Sequence, residues 1–278
     1  AAKAWQVDPK KDLWKLPSMY VGQYAEQDAE STLKLWQRLE TELYAQELTD
    51  IFKLESKLFP CLVDMRFNGV RVDIDKAHTI KKDLVSREKT ILQKIKKLTN
   101  VDVEIWAAAS IAKVFDYLKL PYDRTAKTNK PSFTKNFLAN HPHEIAKEIA
   151  SAREINKAHT TFIETILKHS HKGRIHADIN QIRSDDGGTV TGRFSMSNPN
   201  LQQIPARHKD LGPMIRSIFI PENNCKWGTF DYSQQEPRIL VHYAKLQELP
   251  GVNEIVDAYR AGDADFHQVV ADMAGIER

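Results

Sequence analysis

The spacing of apolar residues is the tightest constraint on how this 278-residue chain can fold. Between Tyr24 and Phe59, the residues Leu33, Trp36, Leu39, Leu43, Leu48 and Phe52 recur near the helical period with no proline among them, which predicts one long helix or two with a break. Asn68-Gly69 then makes a turn, and Val70, Val72 and Ile74 alternate with polar residues as in a short strand. Asp75 is placed to cap a helix running to about Leu98, with Ile80, Leu84, Ile91, Ile95 and Leu98 on one stripe and mostly Lys and Arg opposite. A further long helix is expected from Ile145 to Leu167, carried by Ile149, Ile155, Phe162, Ile163, Ile166 and Leu167.

The pattern changes at Gly173. Residues 174–183 read as a strand with Asp185-Asp186-Gly187-Gly188 as its turn, and Ile215–Ile220 and Lys226–Phe230 read as further strands around a turn at Pro221-Glu222-Asn223-Asn224. A helix begins near Glu236-Pro237, because proline is tolerated in a first helical turn. Helices followed by mixed strands and helices give an α+β chain of several subdomains, with a boundary near Gly173.

Charge is unevenly spread. Residues 61–170 carry 20 Lys and Arg against 13 Asp and Glu, whereas the flanking segments are slightly acidic. The segment 121–132, with Arg124, Lys127 and Lys130 between two prolines, reads as an exposed basic loop. Such a surface suits a polyanion, although a Lys-rich helix alone is more often a solvated face. No apolar run approaches the ~18–20 residues of a membrane span, and the first residues resemble no export signal, so a cytoplasmic protein with no membrane partner is expected. Cys61 and Cys225 are too few and too distant for a disulfide framework or a thiolate zinc site. The histidines at 141, 143, 169 and 171 read as solvated helix-end or loop residues.

Asp231 follows the apolar run Trp227–Phe230 and precedes a helix, a place where a carboxylate can hold a hard cation such as Mg2+ together with substrate phosphates. The run Asp231-Tyr232-Ser233-Gln234-Gln235-Glu236-Pro237-Arg238 resembles motif A of family A DNA polymerases, D-Y-S-Q-I-E-L-R. Upstream, Thr191-Gly192-Arg193-Phe194-Ser195 and Asn198-Pro199-Asn200-Leu201-Gln202-Gln203-Ile204-Pro205-Ala206-Arg207 resemble that family's T-G-R-L-S-S-x-x-P-N-L-Q-N-I-P-x-R. Weaker matches extend the likeness. Arg66 to Asp73 resembles the entry to the thumb, Lys127 to Ser132 the thumb tip, and Asp265-Phe266-His267 a D-x-H element. Tyr24-Ala25-Glu26-Gln27-Asp28 resembles the Y-x-x-x-D motif of the attached proofreading exonuclease.

The resemblance implies the end of an exonuclease domain at 1–60, a helical thumb at 61–172 and the first part of a palm with an antiparallel sheet at 173–278. It implies template-directed addition of deoxynucleotides to a primer in DNA replication, with primer-template DNA and deoxynucleoside triphosphates as partners. Asp231 and the Tyr232 carbonyl would bind two Mg2+ ions, and Glu236 would exclude a 2′-hydroxyl. His267 and Arg207 would face the triphosphate with Gln234 nearby. Arg193 would probe the minor groove with Asn200 and Gln202, and Lys127 and Lys130 would meet DNA phosphates. Tyr24 and Asp28, four apart on one helix face, would orient water and bind metal in the exonuclease.

Gln235 and Pro237 depart from the usual isoleucine and leucine, and this loosened motif points towards a phage source. After motif A the sequence has no R-x-x-x-K of the fingers and no H-D-E-type motif with the palm's second aspartate, and no D-x-E opens an exonuclease before Tyr24. One carboxylate does not clamp two metal ions, so the isolated chain is expected neither to extend primers nor to proofread. Two alternatives stay open: an amino-side piece of a split polymerase completed by a second polypeptide, and a non-catalytic primer-template binding module. The joint presence of Asp231, Glu236 and His267 argues against the second.

Overall fold

The computed structural model describes residue 8 and residues 11–184, 187–206, 208–262 and 265–277, the side chains of residues 269, 272 and 273 apart. It is predominantly helical with small antiparallel sheets. The chain divides into two compact units, Ala1–Glu222 and Asn223–Arg278.

In the first unit, helices α1 (Ser18–Ala45) and α2 (Thr49–Asn68) realise the first apolar stretch as two helices, broken where Glu47 takes a positive φ of 57°. The rings of Trp36 and Phe52 meet at 5.2 Å across the pair. The rest of the stripe is largely exposed, including Leu33, Leu39 and Leu48, and α1 buries no residue. The helical period was therefore a guide to conformation here but not to burial.

Gly69 ends α2 with φ 62° and ψ −173°, and the chain passes into β1 (Val70–Arg71). Asp73, not Asp75, caps the next helix, its carboxylate accepting from the Lys76 N–H at 2.9 Å. Asp75 instead lies in the first turn of α3 (Ile74–Thr99), where its charge suits the helix dipole. Ile80, Leu84 and Ile95 are buried as expected. Leu98 is exposed, and the buried residue of that turn is Thr99, whose hydroxyl donates to the Ile95 carbonyl.

Helix α4 (Ala108–Tyr117) leads to β2 (Asp123–Arg124) and β3 (Pro131–Ser132), which pair antiparallel. The segment expected as an irregular loop is thus a two-stranded ribbon with a basic tip, because the Thr125 N–H donates to the Lys130 carbonyl and closes the ladder. Helices α5 (Lys135–Asn140), α6 (Glu144–Lys157) and α7 (Glu164–His169) follow, the last two joined by a π-helical turn over Ala158–Ile163. His141 departs from expectation: it is buried, with Phe115 and Phe137 rings each 5.3 Å away.

Strands β4 (Ser170–His171) and β5 (Arg174–Ile175) join β1 in a sheet of order β1-β5-β4. β6 (Asp178–Asn180) pairs with β7 (Ser195–Ser197), and a 3-10 turn spans Leu201–Gln203. Of the expected turn after β6, residues 185 and 186 lie outside the described residues. The expected strand at Ile215–Ile220 does not form: its first two residues end a helix, α8 (Leu211–Arg216), a turn follows, and Phe219 makes an isolated bridge to Val72. Leu211, Ile215 and Ile218 are all buried, and their spacing of four and three is helical.

Two apolar clusters hold this unit together. One joins α3, the π turn, α7, β5 and α8, and the other joins the end of α3 to α4, α5 and α6 around Phe115. The second unit contains α9 (Gln235–Leu246), α10 (Val252–Ala261) and α11 (Phe266–Ala274), with Val241, Val252 and Tyr259 buried at its centre. The strand expected at Lys226–Phe230 is absent: the segment makes no ladder, and Phe230 is 97% exposed. No other strand is described in residues 223–278 to satisfy its backbone groups.

A Cβ at Gly69 would lie 2.6 Å from the Ile175 carbonyl oxygen and 2.7 Å from Nδ1 of His176. The Gly69→Ala variant is expected to lose about 2 kcal/mol or more of stability, from the positive φ and this contact together. Urea denaturation of the two proteins measures it.

Candidate nucleotide and nucleic-acid interface

The residues proposed for chemistry fall in both units. In the second unit, Asp231 and Tyr232 lie on an exposed segment just before α9. Gln234 takes the left-handed conformation, φ 54° and ψ 41°, and turns the chain into α9. Glu236 is exposed in the first turn of that helix.

Gln234 also works at a distance in sequence. Its Oε1 accepts from the Tyr259 hydroxyl at 3.1 Å and from the Phe266 N–H at 3.0 Å. The start of α11, which carries His267, is thereby fastened three residues beyond Asp231. Asp265 caps α11, accepting from the N–H groups of His267 and Gln268 at 3.1 and 3.2 Å. Arg238 donates to the Ser233 carbonyl at 2.9 Å and stacks over the Tyr259 ring at 4.7 Å. Gln234 thus joins the start of α9, which carries Glu236, to the start of α11, which carries His267, and Asp231 lies on the exposed segment three residues before Gln234. Sequence reading gave Gln234 a place near the nucleotide but missed this fastening role, and it missed Tyr259 altogether. A tyrosine 25 residues from its partner leaves no local signal.

In the first unit, Arg193 precedes β7, and Asn200 and Gln202 follow it. Asn200 Oδ1 accepts from the Gln202 N–H at 3.0 Å, and the Gln202 amide donates to the Phe194 carbonyl at 3.2 Å. The three residues therefore share one small platform. Asn198 and Arg66 both bond Asp178 of β6, at 2.9 and 2.6 Å, and moor that platform to α2. Arg193, Asn200 and Gln202 are exposed. Arg207 lies outside the described residues.

Lys127 and Lys130 are exposed at the tip of the β2–β3 ribbon, where Arg124 donates to the Asn129 carbonyl at 3.0 Å. Tyr24 and Asp28 stand on α1, with Tyr24 exposed. The Asp28 side chain accepts the phenol's hydrogen bond and adds its negative charge, which raises the Tyr24 pKa above its ordinary value.

Among the described residues, no three His, Cys, Asp or Glu side chains gather as a metal-binding group. The donors at Asp231 and the Tyr232 carbonyl are hard oxygens on an open segment. That chemistry fits Mg2+, which commonly takes one or two protein oxygens and completes its shell with phosphates and water.

The sequence model of DNA polymerase family A matches residues 74–276. The chain belongs to DNA polymerase family A. This family A chain is 38% identical over 296 residues to the DNA-directed DNA polymerase of Pseudomonas phage M6, covering 100% of this chain and 44% of the relative. It is 33% identical over 288 residues to DNA polymerase DpoZ of Acinetobacter phage SH-Ab 15497, covering 96% of this chain and 45% of that one. The family A chain thus spans less than half the length of these curated relatives. Its fold resembles the polymerase domain of Pol1 from M. smegmatis, solved in complex with DNA primer-template and dNTP. The TM-score is 0.63 at 23% identity, over 84% of this chain and 41% of that one. No helix among its described residues is long and apolar enough to cross a membrane.

Replacing Gln234 with leucine would strip partly buried donors on Tyr259 and Phe266 of their acceptor. The expected loss is about 1–2 kcal/mol of local stability. Hydrogen exchange at the Phe266 amide should quicken, while amides of the first unit exchange as before.

Proposed function

We propose that the chain is the part of a template-directed DNA polymerase that grips primer-template DNA and supplies one half of the nucleotidyl-transfer site. The observation that carries this reading is the Gln234 fastening that joins the helix starts carrying Glu236 and His267, close in sequence to Asp231, within a family A match spanning residues 74–276. In this assignment residues 1–60 end an exonuclease domain, 61–172 form the thumb and 173–278 open the palm.

Asp231 and the Tyr232 carbonyl would hold Mg2+. When bound, the metal lowers the pKa of the primer 3′-hydroxyl and neutralises charge on the departing pyrophosphate. Glu236, in the first turn of α9, sets a steric floor beneath the sugar and disfavours a 2′-hydroxyl. His267, at the amino end of α11, donates to the triphosphate, as does Arg207, and Gln234 keeps His267 in place. Arg193 donates into the minor groove, whose acceptors are similar for every pair, and Asn200 and Gln202 support it. Lys127 and Lys130 meet phosphates without regard to sequence. In the exonuclease portion, Asp28 would bind metal and Tyr24 would orient water.

The resemblance supplies one carboxylate, Asp231, and in this reading the other carboxylate of the two-ion site lies beyond residues 1–278. It comes from the same polypeptide or from a second one that completes the palm and fingers. The activity so completed serves DNA replication inside a cell.

The purified 278-residue chain is expected to bind a labelled primer-template and, with Mg2+ and all four deoxynucleotides, to leave the primer unextended. In an extension-competent assembly, Asp231→Asn should reduce extension by roughly a thousandfold, equivalent to several kcal/mol of transition-state stabilisation. Glu236→Ala should raise ribonucleotide use relative to deoxynucleotide use by roughly tenfold or more. Extension by the chain alone would show that the site is complete within it. Failure to bind the duplex would remove the DNA-binding reading.

A further inference from the structure

A cavity of about 570 Å³ opens beside the basic ribbon of the first unit, lined by Leu120, Pro121, Tyr122, Asp123, Phe137, His141, Pro142 and His143. Its size is in the roughly 300–1,000 Å³ range of small-ligand sites. The structure assigns it to an unpaired DNA base: we propose that the tip of this subdomain holds a single-stranded nucleotide by stacking, beside the lysines that hold its backbone. This inference rests on the DNA-binding reading above and adds a preference for unpaired DNA to it.

The walls are aromatic and braced from behind. Tyr122 leans on Phe133 at 5.2 Å and on Phe115 at 6.2 Å, while Phe137 leans on Phe115 at 6.1 Å and on His141 at 5.3 Å. Phe115 is fully buried, so both wall rings rest on a fixed core and lose little freedom when a base stacks on them. Tyr122 and Phe137 remain half-buried, with ring surface open to the cavity they line.

The polar rim suits a base rather than an aliphatic ligand. Nδ1 of His141 accepts from the His143 N–H, and Nδ1 of His143 accepts from the Ile145 N–H, each at 3.1 Å. These bonds leave Nε2 of His143 for a ligand. The exposed Asp123 carboxylate offers an acceptor for an exocyclic amine.

The charge beside the cavity suits a phosphate backbone. Arg124 is stacked at 5.4 Å over Tyr122 and donates to its hydroxyl at 3.3 Å, and Lys127 and Lys130 stand at the ribbon tip a few residues on. Stacking faces interleaved with cations are the physical basis of single-strand binding, and the site is sequence-tolerant because every base has a π face.

The test compares binding of the 278-residue chain to a short single-stranded oligonucleotide carrying 2-aminopurine and to a blunt duplex. Wild-type chain is expected to quench the 2-aminopurine on binding. Tyr122→Leu should abolish the quenching and weaken single-strand binding by roughly tenfold, with duplex affinity unchanged. Lys127→Ala with Lys130→Ala should weaken both and flatten the salt dependence of binding. Asp123→Asn, a surface change, should alter the relative affinities for adenine- and thymine-containing oligonucleotides and guards against a Tyr122 variant that misfolds. Duplex binding without quenching by the wild-type chain, or quenching that survives Tyr122→Leu, overturns the base pocket and leaves the DNA-binding reading standing. No binding to either DNA overturns both.

Discussion

The close approach of Gly69 to β5 is the contact on which the first unit's architecture depends. α2 must stop, reverse and lay β1 against a strand more than one hundred residues later, with Val70 opposite Ile175. Only a residue without Cβ fits against the Ile175 carbonyl at that point. Once β1 is seated, its continuation is shared with the segment that ends the unit. The Asp73 N–H donates to Ile218, the Ile220 N–H donates to Arg71, and Val72 bridges Phe219. Helix α3 then departs from a fixed origin, and the apolar stripe of α3 gathers α6, the π turn and α8 around it. Arg174 ties the same corner by bonding both the Asn68 carbonyl and Glu222.

The π turn at Ala158–Ile163 shows how a buried polar contact shapes a helix that periodicity alone would draw straight. His159 is buried, and its Nε2 lies 2.5 Å from Glu88 of α3, which also accepts from Asn156 at 3.0 Å. An extra residue in the turn is the usual device for re-aiming one side chain without breaking a helix. Across the turn His159 reaches Glu88 while Ile163 stays in the apolar cluster.

Much of the fold could be read from the residues because α3, α6 and α7 announce themselves by apolar spacing that burial then satisfies. The strands were harder. Val70 and Ile175 form ladders of only two residues, too short for alternation to separate from chance, and Ile215–Ile220 has the β-branched composition of a strand although its buried positions are spaced as a helix. Lys226–Phe230 has strand composition too, but composition cannot supply the neighbouring strand that a ladder requires. The candidate site was proposed from motif identity and not from local propensity. The fastening of Gln234 to Tyr259 and Phe266 could not be read at all, because it depends on how α10 and the start of α11 fold back upon motif A.

Two positions beside that fastening, Gln235 and Pro237, differ from the motif this segment resembles. Pro237 is the third residue of α9, where its missing N–H removes no hydrogen bond that the helix would otherwise make. It does crowd Glu236, since a residue preceding proline is disfavoured in the helical region. The left-handed Gln234 adds a second local cost, on the order of 1 kcal/mol for a non-glycine residue. Two hydrogen bonds accepted by the Gln234 side chain, from Tyr259 and Phe266, offset costs of that size. Gln235 is exposed, so a polar side chain in place of isoleucine costs no burial within this unit. The turn between Asp231 and Glu236 is therefore held in an intrinsically unfavourable conformation by contacts with the helices behind it.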